Sequence, residues 1–219
     1  MTRRSRLLTT AAAGATAALL LAGCGGGSGD KSDSNSKIAG ADTGASASAS
    51  PSASASLAAG RPKITLPSDV TDTYEDWKTG DAAKDAVLAD TAARIDATND
   101  AILRGDTGAP GLSFYYRDKA LSDAVAWVQA YLDANLSFTG ATRYYDPKVT
   151  MSGGGTASVV YCSDESKGFN KNRKTGKVDK SSSSQSPYVL YNTRLEKNGK
   201  GVWQTTNLIS KRGDKTCAA

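Results

Sequence analysis

From Asp81 to Arg104 the apolar residues return at helical intervals. Leu88, Ala92, Ile95 and Ile102 fall on one face, and Val87, Ala93 and Ala97 widen it, with Asn99 as an interruption. Gly105 ends this predicted helix, and Gly108, Pro110 and Gly111 prolong the break. A second helix is predicted over Lys119 to Asn135. Ala120, Leu121, Ala124, Val128, Tyr131 and Leu132 form its apolar face, with Trp127 on the flank. Upstream, Tyr74 and Trp77 suggest a short helical turn. After Asn135 the texture changes. Leu136 to Tyr145 mixes Thr, Tyr and Phe as strands do, Pro147 breaks it, and Lys148 to Met151 reads as a separate short strand. Ser152-Gly153-Gly154-Gly155 is a turn. Thr156 to Ser163 alternates, with Ala157, Val159 and Tyr161 on one face and Val160 and Cys162 on the other. Residues 164–186 read as a long polar loop. Pro187 to Glu196 and Val202 to Lys211 form two strands joined around Asn198-Gly199, a hairpin signal. Helices first and an antiparallel meander afterwards predict an α+β domain, its N-terminal helices packed on a curved, four- to five-stranded antiparallel sheet.

The first residues follow a different logic. Arg3, Arg4 and Arg6 precede an apolar run, Ala11 to Ala22, that ends in Leu21-Ala22-Gly23-Cys24. A basic start, an apolar stretch and small residues before a cleavage point make a secretory signal. The cysteine directly after Leu-Ala-Gly resembles the lipobox of bacterial lipoproteins. That resemblance implies removal of residues 1–23 and a lipidated Cys24 as the mature N-terminus. The uncharged run from Leu7 to Gly29 is long enough to span a bilayer, but it is mostly Ala, Gly and Thr, which favours cleavage over spanning. Two or more acyl chains on Cys24 suffice for stable anchoring. Thr2-Arg3-Arg4-Ser5-Arg6-Leu7-Leu8 also looks like a twin-arginine export signal, although an ordinary signal needs only the positive charge, so both routes remain open. Residues 24–60 combine Cys24 with a Gly, Ala and Ser tether that has too little apolar surface to fold. As a coil it spans roughly 30–35 Å. Residues 61–219 hold all the Trp, Tyr and Phe and make one domain.

Charge divides along this domain. Arg61 to Asp133 carries a balance of −5, and Arg143 to Lys215 a balance of +8. The mature chain is nearly neutral, which together with export argues against a nucleic-acid partner. Cys162 and Cys217 remain once Cys24 is lipidated, and in an oxidising compartment they are expected to pair. Closing that 55-residue separation stabilises by about 4 kcal/mol in the chain-entropy model. The chain has no histidine. That removes Ser-His-Asp and Cys-His catalysis and the usual zinc and copper sites, and no metal or cofactor is expected.

The element order, with Leu112-Ser113-Phe114-Tyr115-Tyr116 before a helix, Val160-Tyr161-Cys162-Ser163-Asp164, and Val202-Trp203-Gln204 leading to Thr216-Cys217, resembles small actinobacterial lipoproteins with an NTF2-like (SnoaL-like, cystatin-like) domain. The resemblance implies a cone-shaped α+β fold and the Cys162–Cys217 pairing. It implies no single function. Enzymes of that fold use Asp or Tyr in the cavity between helices and sheet, which makes Asp96, Asp100, Tyr115, Tyr116, Tyr144 and Tyr161 the residues to weigh. Asp96 and Asp100 share a helix face that reads more simply as a solvated acidic surface, and the tyrosines read as core or rim. Lys167, Lys171, Arg173, Lys174, Lys177 and Lys180 form a basic run. It suits either contact with an anionic surface or a solvated loop. The expected role is a non-catalytic binding module, extracytoplasmic and lipid-anchored at the outer face of the cytoplasmic membrane. Its partner would be an envelope protein, a wall polymer or a small apolar ligand. The rival is a small SnoaL- or ketosteroid-isomerase-like enzyme using a cavity Asp and Tyr.

Replacing Cys24 by Ser is expected to release or misprocess the chain. Mass spectrometry of the mature N-terminus checks this, and an unmodified N-terminus at another residue would refute lipidation.

Overall fold

The computed structural model describes residues 60–181 and 184–217; Cys24 and the segments 1–23 and 24–59 lie outside them. The chain runs β1 (Val70–Tyr74), α1 (Ala82–Arg104), α2 (Pro110–Tyr115), α3 (Asp118–Asp133), β2 (Leu136–Met151), β3 (Thr156–Asn172), β4 (Tyr188–Lys197) and β5 (Trp203–Arg212). The five strands form one sheet in sequence order. β1 pairs parallel with β2, and every later pair is antiparallel. This is the α+β arrangement of helices on a five-stranded, mostly antiparallel sheet expected from the sequence.

Local chemistry sets the limits of α1. Asp81 caps it by accepting from the backbone N–H of Ala83 at 2.8 Å and Lys84 at 3.1 Å. Gly105 ends it in the left-handed region, at φ 71°. The last carbonyls are met from far along the chain: the Arg173 guanidinium donates to the carbonyls of Ile102 and Leu103, and to that of Leu136. A cation at a helix C-terminus satisfies orphan acceptors and opposes the helix dipole.

Several elements differ from expectation. Tyr74 belongs to β1 rather than a helical turn, because residues 70–74 reach the open edge of β2 and extend the sheet. Gly140 faces this edge with φ 103°, and a Cβ there would run into the Lys167 carbonyl oxygen, so only glycine fits. Pro147 does not end a strand. It lies in a shift of register between Tyr145 and Lys148, where the missing N–H leaves no gap in the ladder and β2 continues to Met151. Residues 164–172 are the second half of β3 and not a loop, since Leu136–Ala141 pairs with Lys167–Asn172. The predicted break at Pro110 is instead α2, whose proline occupies the first helical turn, where no donor is needed. The β4–β5 hairpin forms as expected, but the left-handed residue is Gly201, at φ 82°, rather than Gly199. Asn198 organises that turn by accepting from the N–H of Lys200 and Val202.

One core lies between α1 and the sheet, built on Val87, Leu88, Ile95, Val159, Leu195 and Trp203. A second joins the end of α1 to α2 and α3. On the opposite face of β3, Cys162 is bonded to Cys217. The Tyr145 hydroxyl donates to the Cys217 carbonyl, so the C-terminal tail covers the face that the helices leave free.

Asp90 ties these layers together. It is 1 % exposed, on the sheet-facing side of α1. One carboxylate oxygen pairs with Arg61 and the other accepts the Trp203 N–H at 2.8 Å. The segment before β1, the long helix and the first residue of β5 therefore meet on one buried anion. Replacing Asp90 by Ala leaves Arg61 without its counter-ion and the buried Trp203 N–H without its acceptor, and is expected to lower stability by about 3–5 kcal/mol. Replacing the exposed Asp123 by Ala should change stability by about 1 kcal/mol at most. Chemical denaturation of the two variants checks the contrast.

Candidate ligand cavity

A cavity of about 270 Å³ opens between α1, α3 and the concave face of the sheet. Its origin is a difference in side-chain size. Ala120 and Ala124 face inward from α3, while tyrosines rise from the opposing strands: Tyr144 from β2, Tyr161 from β3 and Tyr191 from β4. Short side chains opposite rigid, long ones leave a gap that no rotamer fills. Trp127, 55 % exposed, stands at the rim with Asp123, whose carboxylate is taken by Lys119 at 2.6 Å.

The floor is polar. Arg94 is 4 % exposed and lines the cavity. Its Nη1 donates to the Tyr116 hydroxyl at 3.2 Å and its Nη2 to the Tyr161 hydroxyl at 2.7 Å. Both rings also lie beneath its charge, with centroids at 5.5 and 6.0 Å. The Thr98 and Tyr116 hydroxyls are 2.8 Å apart. The Arg94 Nε has no hydrogen-bond partner, and among the described residues no carboxylate lies within 4.0 Å of the guanidinium. A buried arginine is ordinarily paired with an acid. Here two phenol oxygens hold it.

The strand tyrosines Tyr144, Tyr161 and Tyr191 are poor acids. Burial pushes the Tyr161 hydroxyl above its ordinary value, against the opposing pull of Arg94, and raises Tyr144 well above it. Tyr191 is raised too, first by burial and then by Glu165. In the neutral range all three act as hydrogen-bonding groups and aromatic walls.

The acids lie behind this surface. Asp72 on β1 accepts from the Asn99 side chain at 2.7 Å, and Asn99 is the residue that reaches the cavity. The other oxygen of Asp72 is buried and has no hydrogen-bond partner, and the Asp96 carboxyl lies close enough to act on Asp72. Two acids so placed disfavour ionisation of both together. Asp72 is pushed up to about 6, first by burial and then by Asp96. Burial raises Asp96 as well, opposed by the Tyr74 hydroxyl, which donates to it at 2.5 Å.

Of the six residues weighed for cavity chemistry, Tyr116, Tyr144 and Tyr161 line the cavity. Tyr115 packs elsewhere, against Phe114 and Arg61. Asp100 is 3.8 Å from Arg104. Asp96 belongs to the buried pair with Asp72 rather than to a solvated acidic face, because β1 covers that side of α1. Sequence reasoning passed over Arg94, Asp72 and Asn99. One signal for Arg94 was available: it stands two turns after Val87 and beside Ile95, inside the apolar stripe.

The basic run is divided by the fold. Arg173 caps α1, and Lys171 pairs with Asp69 at 2.9 Å. Lys167, Lys174, Lys177 and Lys180 are exposed.

No protein-family model matches the sequence, and no curated protein matches it. Among solved structures the chain is similar to a ketosteroid isomerase-like protein from Erwinia carotovora atroseptica, with 19 % identity over 57 % of this chain and 95 % of that one, at a TM-score of 0.36. It is also similar to an NTF2-like protein of unknown function from Shewanella oneidensis, with 18 % identity over 57 % and 98 % of the two chains, again at 0.36. Likeness of this degree carries nothing about activity or ligand.

The carboxyl pair has a consequence for stability. Between the ordinary carboxylate value of 3.8 and about 6, the folded chain keeps a proton on Asp72 that the unfolded chain releases. The contribution of Asp72 to stability is therefore fully present below this window and is lost as pH rises through it. Asp72→Asn is expected to reduce that slope, gaining stability relative to the parent as pH passes 6. Thermal melts of both chains from pH 4 to 7 check this, and parallel curves would contradict it.

Proposed function

We propose that this chain is an envelope lipoprotein whose NTF2-like domain binds a small ligand without transforming it. It would be held at the outer face of the cytoplasmic membrane through lipidated Cys24. The observation that carries the reading is the chemistry of the cavity wall: aromatic rings, two alanines and one fixed guanidinium, with the buried carboxyls set behind it. A cavity of this kind, apolar with a few placed polar groups, is what small-molecule binding requires. The SnoaL- or isomerase-like alternative needs a carboxylate facing the substrate. Asp72 and Asp96 face each other and Tyr74 instead. The exposed Lys167, Lys174, Lys177 and Lys180 support a weak, salt-sensitive association with anionic headgroups or wall polymer, as an adjunct to the anchor.

The full chain, purified from cells into phosphatidylcholine nanodiscs, is expected to bind small bicyclic aromatics such as 2-naphthol, read as a change in tryptophan emission. Ala124→Trp fills the cavity and should weaken this at least roughly tenfold, the scale set by losing a ligand's apolar contact area. Asp96→Asn should leave it unchanged. Isomerisation of a β,γ-unsaturated ketone by the parent chain, abolished in Asp96→Asn, would overturn the reading in favour of an enzyme.

A further inference from the structure

We propose that the cavity recognises a carboxylate carried on a flat apolar body, with Arg94 as the residue that selects it. The inference rests on the binding-module reading and goes beyond it by naming the ligand's charge and shape.

Three observations converge on one point. The first is the charge. Arg94 is buried on the cavity floor, and among the described residues no carboxylate lies within 4.0 Å of it, Asp96 being an acid that feels its charge from farther off. Removing a guanidinium from water is costly, and the hydrogen bonds it donates to two phenol oxygens offset only part of that cost. The nearest acids in sequence are committed elsewhere: Asp90 to Arg61 and the Trp203 N–H, Asp96 to Tyr74 and Asp72. At the rim, Asp123 is paired with Lys119. The floor therefore presents a cation with no acid in direct contact, in a low-dielectric surround where an anion gains most.

The second observation is the supply of donors. Arg94 spends two of its five N–H groups on protein oxygens, one from Nη1 and one from Nη2. The Tyr161 hydroxyl accepts from Arg94 Nη2, and among the described residues its own hydrogen has no acceptor. A second arginine Nη–H and an adjacent phenol O–H are donors that the two oxygens of a carboxylate can meet together. Tyr191, stacked on Tyr161 at 4.9 Å, holds that ring in place.

The third is the shape. An apolar cavity of about 150 Å³ holds benzene, so one of about 270 Å³ accommodates two fused rings. Tyr144 and Tyr191 offer flat walls, with Ala120, Ala124 and Trp127 also in the lining. A ligand lying between them would place its charged end on Arg94 and its apolar end toward Trp127.

The test compares 2-naphthoate with its neutral isostere 2-naphthamide on the full chain in phosphatidylcholine nanodiscs, read through tryptophan emission. Naphthoate is expected to bind roughly 10- to 100-fold more tightly than the amide, the scale of a charge-assisted pair in a desolvated site. Arg94→Met should abolish that preference. Tyr161→Phe, which removes one oxygen and keeps the ring, should reduce it several-fold, with amide affinity unchanged, so the test survives even where Arg94→Met fails to fold. Equal affinity for the two probes would overturn carboxylate recognition while leaving a binding module in place. A preference that persists in Tyr161→Phe and Arg94→Met alike would also overturn it, by placing the anion elsewhere. Binding of neither probe would overturn both readings.

Discussion

The long helix α1 places charged groups where it meets the sheet, and much of the structure answers to that. Asp90, Arg94 and Thr98 succeed one another at one-turn intervals on the side that also carries Val87, Thr91 and Ile95. An apolar stripe could slide or rotate against the sheet at little cost. A stripe that holds an anion and a cation cannot, because each must find its partners when it leaves water. Asp90 finds Arg61 and the start of β5, and Arg94 finds Tyr116 and Tyr161. These contacts fix the rotation and height of the helix over the sheet. The segment before β1, the α2–α3 junction and two strands are recruited in the process.

The two charges are treated differently, and the proposed binding role rests on the difference. Asp90 is matched by a cation and an amide, which makes it a structural tie. Arg94 is matched only by hydroxyls and is left facing the gap that Ala120 and Ala124 create. One turn of helix thus separates a closed polar junction from an open one. The aromatic residues around it serve both tasks. Tyr161 belongs to the core by its ring, stacked against Tyr191 and edge-on to Trp77, and to the cavity by its hydroxyl.

Arg173 shows how the fold reassigns a residue. In the sequence it stands in a run of lysines, as surface charge. In space it crosses to the end of α1 and meets the carbonyls of Ile102 and Leu103. It does so because β3 continues past Asp164 and pairs with the first half of β2, which delivers residue 173 to the far end of the helix. The same extension holds Lys171 against Asp69. What remains as surface charge is smaller than the run suggests, and the negative and positive halves of the domain are stitched together by the residues removed from it.

The helix limits, the hairpin at Asn198 and the inward face of β3 were all legible in the sequence, since each depends on residues a few positions apart: a capping aspartate, a left-handed glycine, an alternation of two. The pairing of Cys162 with Cys217 was expected from the cysteine count together with an expected oxidising compartment, and the two are bonded. Long-range pairing was not legible. β1 reads as a few residues before a helix, and only the open edge of β2 makes it a strand. Pro147 reads as a stop, and only the facing strand turns it into a bulge. The cavity was half legible. Tyr116, Tyr144 and Tyr161 stood out as aromatic residues of a predicted α+β core, whereas Arg94 looked like one charge among many on a helix. A residue's charge is local information, but whether that charge is buried, and what meets it there, depends on strands about 70 positions away. The sequence determined most of the elements; the packing of α1 against the sheet decided which arginine is buried at the cavity, because desolvation is a property of the assembled layers and not of the chain.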